Sequence, residues 1–123
     1  AAASRVWQRA LAAPPYRGAP VVIHGDPVPG NLVLREGVLA GLIDIAPRAV
    51  GDPASDLAPA WTVFDEPARS VFREAMGLDE AAWERGRGWG FEMAIGGGNS
   101  YERSNPIFAR QAARTLQRLL ATA

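Results

Sequence analysis

Three short apolar runs, held apart by residues that forbid regular structure, set the terms on which residues 21–58 can fold. Val21-Val22-Ile23 is a β-branched run that favours a strand, and Pro27, Pro29 and Gly30 exclude regular structure until Asn31. Leu32–Arg35 and Val38–Ile43 follow, joined by Glu36-Gly37, a pair suited to a tight hairpin turn. Polar side chains stand where the runs stop: Asp26 on the Pro/Gly loop, Asn31 at the start of the second run, Asp44 at the end of the third. With the hairpin beside the loop, Asn31 and Asp44 converge, offering an amide oxygen and a carboxylate, both hard ligands suited to Mg2+. Asp26 then stands nearby without being a ligand, free to accept a proton or orient a hydroxyl.

The string His24-Gly25-Asp26-Pro27-Val28-Pro29-Gly30-Asn31, followed by Ile43-Asp44 and by Gly51-Asp52-Pro53-Ala54-Ser55-Asp56-Leu57-Ala58, resembles the aminoglycoside phosphotransferase/choline kinase family, relatives of the protein kinases. Its His-x-Asp-x-x-x-x-Asn spacing is also that of the kinase catalytic loop. The resemblance implies ATP-dependent phosphoryl transfer to a hydroxyl of a small molecule. Asp26 is then the catalytic aspartate facing the acceptor, and Asn31 with Asp44 holds the magnesium that bridges the ATP phosphates. His24 and Asp56 match the family's structural supports of that loop. An aminoglycoside is the favoured acceptor; choline, homoserine or a macrolide are the alternatives. The contrasting reading is a non-catalytic binding module that retains only this lobe.

Two departures qualify the resemblance. Ile45-Ala46 stands where the family often has an aromatic or acidic residue, and no Gly-rich loop followed by a strand lysine precedes the motif among the 20 residues ahead of Val21. The resemblance therefore implies the C-terminal lobe of a two-lobed kinase. The expected fold is α+β: a small hairpin or three-stranded sheet carrying the loop on a mainly helical body, as one domain over residues 1–123. The N-terminal nucleotide lobe is absent from these residues, and the abrupt alanine start suggests that something upstream has been removed. Alone, such a lobe is expected to bind ATP weakly and to turn nothing over.

The composition excludes several classes. Thirteen basic residues balance thirteen acidic ones, so nothing electrostatic argues for a nucleic-acid or membrane partner. There is no cysteine, hence no disulfide framework, thiolate zinc site or cysteine nucleophile. No apolar run approaches the roughly 20 residues of a membrane span, and a cytoplasmic protein is expected.

The rest of the chain reads as helices. Ser4–Ala13 carries Val6, Trp7, Ala10 and Leu11 at helical spacing and is stopped by Pro14-Pro15. Ile45–Gly51 reads as a loop, after which Asp52-Pro53 supplies a cap and a first-turn proline for a helix through Trp61. Asp52 and Asp56 are thus also readable as plain helix-start residues. Pro67–Met76 is a short helix stopped by Gly77, and Asp79 caps the next one, which Gly96-Gly97-Gly98 is expected to end. Asn105-Pro106 caps the last, whose apolar stripe is Phe108, Ala112, Thr115, Leu116 and Leu119. His24, the only histidine, reads as a structural hydrogen-bonder rather than a general base. Trp61, Trp83, Trp89 and Phe91 read as core. Asp65, Glu66, Glu92 and Glu102 could bind amines of an acceptor, against the plainer reading of a solvated face.

Overall fold

Helix ends in this chain are fixed by side chains at the offsets that capping requires. The computed structural model describes residues 2–45, 49–101 and 104–122; Ala46 and Glu102 lie outside the described residues. The elements run in the order α1 (Ala2–Ala12), β1 (Val21–Ile23), β2 (Leu32–Arg35), β3 (Val38–Leu42), β4 (Ala49–Gly51), α2 (Pro59–Thr62), α3 (Glu66–Met76), α4 (Glu80–Tyr101) and α5 (Pro106–Ala121), with 3₁₀ turns at Pro29–Asn31 and Pro53–Leu57. Asp52 accepts from the Ala54 amide at 2.9 Å, Asp65 from Ala68 at 3.2 Å, Asp79 from Ala82 at 2.8 Å and Asn105 from Phe108 at 3.1 Å. Each takes up an N–H that the first turn leaves without an intrahelical partner. Gly77, at φ 60°, closes α3 in the left-handed conformation that ends helices.

The strands form two antiparallel pairs instead of one sheet. β2 and β3 make the expected hairpin, with Leu32 opposite Leu42 and Arg35 opposite Val38. Glu36 and Gly37 both take positive φ, 52° and 79°, which matches the twist of the flanking strands. β1 pairs with β4, Val21 opposite Gly51 and Ile23 opposite Ala49. This corrects two expectations: within the loop expected over Ile45–Gly51, Ala49–Gly51 is a strand while residues 46–48 lie outside the described residues, and the three-stranded alternative gives way to two pairs. A three-residue strand has no readable period of its own; β4 forms because β1 offers it a ladder.

Helix α4 corrects a third expectation, since it continues past Gly96 to Tyr101. It packs mainly on α5, on the 3₁₀ turn Pro53–Leu57 and on α1, and such tertiary contact overrides the weak propensity of glycine. Its glycines are close-approach points. A Cβ on Gly86 would lie 2.6 Å from Leu57 Cβ and 3.1 Å from the Ala54 carbonyl oxygen, and one on Gly88 would lie 2.7 Å from Ala10 Cβ. A Cβ on Gly96 meets nothing within 4 Å. The same substitution should therefore have opposite signs on one helix. Gly86→Ala is expected to cost about 1–2 kcal/mol by overpacking, and Gly96→Ala to stabilise by about 1 kcal/mol through helix propensity. Urea unfolding of both variants checks this, and equal shifts would contradict the packing described.

The core joins Val6 of α1, Leu57, Trp61 of α2, Trp83 and Phe91 of α4 and Leu119 of α5. Trp61 and Trp83 pack with ring centroids 4.9 Å apart and planes tilted by 47°. Trp89, expected in the core, is instead 45% exposed. Helix α2 is one turn long, so its carbonyls have few helical partners. Buried Arg69 donates from Nε to the Ala60 oxygen at 2.6 Å, and Arg118 donates to the Trp61 oxygen at 3.0 Å. Among the described residues no helix is long and apolar enough to cross a membrane.

Candidate active site

The loop after β1 is held mainly through hydrogen bonds to its backbone. Asp56, from the 3₁₀ turn that β4 leads into, accepts from the His24 amide at 2.7 Å with Oδ2 and from the Gly25 amide at 2.9 Å with Oδ1. One carboxylate thus holds two consecutive N–H groups, at a point where Gly25 adopts φ 84°, a conformation costly to residues with a Cβ. The His24 ring is buried and both nitrogens are used. Nδ1 accepts from the Asp26 amide at 3.2 Å, so the proton sits on Nε2, which donates to the Ile43 oxygen at 2.9 Å. A ring committed in this way orients backbone and has no free lone pair for a substrate.

Asn31 closes the loop from the other side. Its Nδ2 donates to the Asp26 backbone oxygen at 2.9 Å and to Asp26 Oδ2 at 3.2 Å. The Asn31 carbonyl accepts from the Ile43 amide at 3.0 Å, extending the hairpin ladder one step beyond the Leu32–Leu42 pair. Ile43 is therefore held at its N–H by Asn31 and at its C=O by His24, and Asp44 is the next residue along. Asp44 has φ 58°, a left-handed conformation that Asp and Asn tolerate better than most side chains. The structure brings Asp26, Asn31, His24 and Asp56 into one bonded set and puts Asp44 beside it through Ile43. Removing the Asp56 carboxylate should loosen this set. In Asp56→Ala, amide exchange at His24 and Gly25 is expected to accelerate on the order of tenfold or more, as two charge-assisted bonds are lost; unchanged protection at both would mean that the loop is held by something else.

The sequence profile described as "Phosphotransferase enzyme family" (APH) matches residues 1–89, which include the whole loop, the hairpin and the turn bearing Asp56. The chain belongs to that family. An aminoglycoside 3'-phosphotransferase of Escherichia coli is 36% identical to it over 64 residues, 52% of this chain and 24% of the relative. A protein of the same description from Salmonella typhimurium is 36% identical over 62 residues, 50% of this chain and 23% of the relative. The chain thus spans about a quarter of the length of the curated relatives it matches. No solved structure matches it.

Beside the family's loop lies a narrow cleft of about 30 Å³, where Val28 and Pro29 face Met93 of α4 and Phe108 and Gln111 of α5. The acidic residues suggested for amine binding stand elsewhere. Asp65 caps α3, and Glu66 pairs with Arg69 at 2.5 Å. Glu92 lines the groove between α1 and α4 together with Trp7. The structure adds one residue that the sequence does not single out. Arg85 of α4 donates to both oxygens of Asp52, at 2.6 and 3.2 Å, and to the Pro14 carbonyl at 2.6 Å. Asp52 is thus both a cap and an ion-pair partner, and Arg85 ties the start of the Asp56 turn to the end of α1. Only the pairing of a capping Asp with an arginine 33 residues on could have announced it, and sequence spacing carries no such signal.

Proposed function

We propose that residues 1–123 form the catalytic-loop lobe, the C-terminal lobe, of a two-lobed phosphotransferase that moves the γ-phosphoryl group of ATP to a hydroxyl of a small molecule, with aminoglycosides as the acceptor class. The observation that carries this reading is the loop geometry. Asp26 is exposed, and its Oδ1 has no partner among the described residues, while its backbone and Oδ2 are tied to His24 and Asn31. A carboxylate held on one side and open on the other is suited to orient an acceptor hydroxyl and take its proton as the oxygen attacks phosphorus. The acceptor class rests on the relatives, which are aminoglycoside 3'-phosphotransferases.

The donor atoms near Asp26 fit Mg2+. Asn31 spends its Nδ2 on Asp26 and keeps its amide oxygen, and the Asp44 carboxylate is engaged by none of the described residues. One neutral and one anionic hard oxygen suit an ion that usually keeps several waters and shares phosphate oxygens. Among the described residues no three His, Cys, Asp or Glu gather into a metal cage, so nucleotide phosphate would complete the shell. When bound, the ion would neutralise charge on the transferring group. Asn31 would link the two functions, since the nitrogen of its amide steadies Asp26 and its oxygen would be left to hold the metal.

Two observations support a second lobe. The sequence contains no lysine, and kinase-type transfer uses a strand lysine on the phosphates. The β2–β3 hairpin exposes Val33, Leu34, Val38 and Leu39, and a two-stranded hairpin is marginal by itself in water, which suits a joint between lobes. Residues 1–123 alone are therefore expected to be inactive. The test is a phosphorylation screen of the two-lobed protein with Mg-ATP against aminoglycosides, macrolides and small amino alcohols. Turnover of an aminoglycoside is expected; turnover confined to a non-amine acceptor would sink the acceptor class, and none with any acceptor would favour a binding module.

A further inference from the structure

Asp26, Asn31 and Asp44 all stand on residues 15–51, a stretch that burial does little to hold in place. Among its described residues only His24 and Pro27 are buried, and its strands form two-stranded pairs, which are marginal in water without a packed face. Groups that must meet a substrate within a fraction of an ångström therefore depend on polar ties to the helical body. Asp56 supplies one such tie, from the turn at Pro53–Leu57 to the His24 and Gly25 amides.

Arg85 supplies another, and it acts at both ends of the stretch at once. Pro14 precedes the stretch and Asp52 follows it. From one guanidinium, Nη1 donates to the Pro14 carbonyl at 2.6 Å, Nε to Asp52 Oδ2 at 2.6 Å and Nη2 to Asp52 Oδ1 at 3.2 Å. The paired side chains are only 14% and 24% exposed, so solvent screens them less than it screens a surface ion pair. The Tyr16 ring lies 5.9 Å from the guanidinium carbon, an aromatic contact at the Pro14 end. The base of Arg85 is itself seated. Next along α4, Gly86 approaches Leu57 and the Ala54 carbonyl, and Gly88 approaches Ala10, so the helix lies against the Asp56 turn and against α1 at the level of this side chain. The pair also exceeds what capping requires, since Asp52 Oδ1 already accepts from the Ala54 amide.

We propose that Arg85 is a positioning residue for phosphoryl transfer: by drawing Pro14 and Asp52 to one guanidinium, it closes the ends of the stretch that carries Asp26, Asn31 and Asp44 and fixes where that stretch stands on α4. It acts through Pro14 and Asp52, not on acceptor or nucleotide. Its effect on turnover rests on the phosphotransferase reading, whereas its effect on the motion of the loop does not.

Amide exchange and turnover test the two effects separately. In residues 1–123, Arg85→Gln should accelerate exchange in the β1–β4 pair and at His24 and Gly25 on the order of tenfold, with protection in α5 unchanged. Arg85→Lys should do nearly the same, because an ammonium carries its donors on one atom and does not reproduce a fork that reaches two residues. Asp52→Asn, which keeps an oxygen for the Ala54 amide but loses the ion pair, should act on the same amides. Leu119→Val, at a fully buried position of α5, is the comparison for a merely structural loss: it should lower the urea midpoint and leave exchange at His24 and Gly25 as in the parent. In the proposed two-lobed enzyme, well below its unfolding midpoint, Arg85→Gln should lower kcat about 10–100-fold through misplacement of the reacting groups, more than it raises KM, and Leu119→Val should keep the parental kcat. Loop exchange unchanged in Arg85→Gln, acceleration shared equally by α5, full restoration by Arg85→Lys, or a kcat no lower than that of Leu119→Val would each overturn the proposal. A parent that turns over no acceptor would instead fail the phosphotransferase reading, and the exchange rates would still decide whether Arg85 closes the stretch.

Discussion

Asp26→Asn in the proposed two-lobed enzyme is expected to lower kcat on the order of 10²–10⁴-fold, the usual contribution of a positioned acid–base group, while Mg-ATP affinity stays close to that of the parent. The substitution is clean because of how the loop is bonded. Asp26 Oδ2 accepts from Asn31 Nδ2, and an asparagine amide oxygen can accept in the same place. The bonds of Asp26 N–H to His24 and of its carbonyl to Asn31 belong to the backbone and survive. What changes is the open side, where an NH₂ replaces an anionic oxygen and can no longer take a proton from the acceptor. Single-turnover rates with calorimetric titration of Mg-ATP separate chemistry from binding. A variant that turns over at the parental rate would remove Asp26 from the proposed chemistry, and one that loses nucleotide affinity would put it on the metal instead.

Much of this arrangement is legible in the sequence because it is local. Glu36-Gly37 announces a hairpin through the left-handed φ its turn requires, and Asp52, Asp79 and Asn105 announce helix starts because a cap acts two or three residues ahead of itself. The convergence of Asn31 with Ile43-Asp44 follows from the register of that hairpin. The features that stay hidden depend on partners far along the chain. β4 exists through β1, α4 survives its glycines because Leu57, Ala10 and Trp61 press against Gly86, Gly88 and Gly90, and the buried Arg69 and Arg87 become notable only once α2 to α5 close around them. The Trp89 expectation fails for a related reason. An aromatic residue on a long helix is core only on the face its neighbours cover, and residue 89 points elsewhere, between Gly88, which meets α1, and Gly90, which meets Trp61.

Asp44→Asn should give the complementary result in the same enzyme, a loss of Mg-nucleotide affinity together with the loss of turnover. Asp44 sits at φ 58°, where asparagine is as well tolerated as aspartate, and its side chain bonds to none of the described residues, so the backbone clamp from Asn31 and His24 on Ile43 is left undisturbed. The substitution then removes one negative charge and little else. Changing a group that merely orients a ligand costs about 10–100-fold in metal affinity; removing the charge of the proposed anionic ligand should cost at least as much. The contrast between the two aspartates is therefore a contrast of positions relative to Ile43. Asp44 follows it directly, whereas Asp26 is reached only across the Asn31 amide nitrogen. Titrating Mg2+ into each variant at fixed ATP decides between them, and an Asp44→Asn enzyme that binds Mg-ATP as tightly as its parent would exclude Asp44 from the metal site.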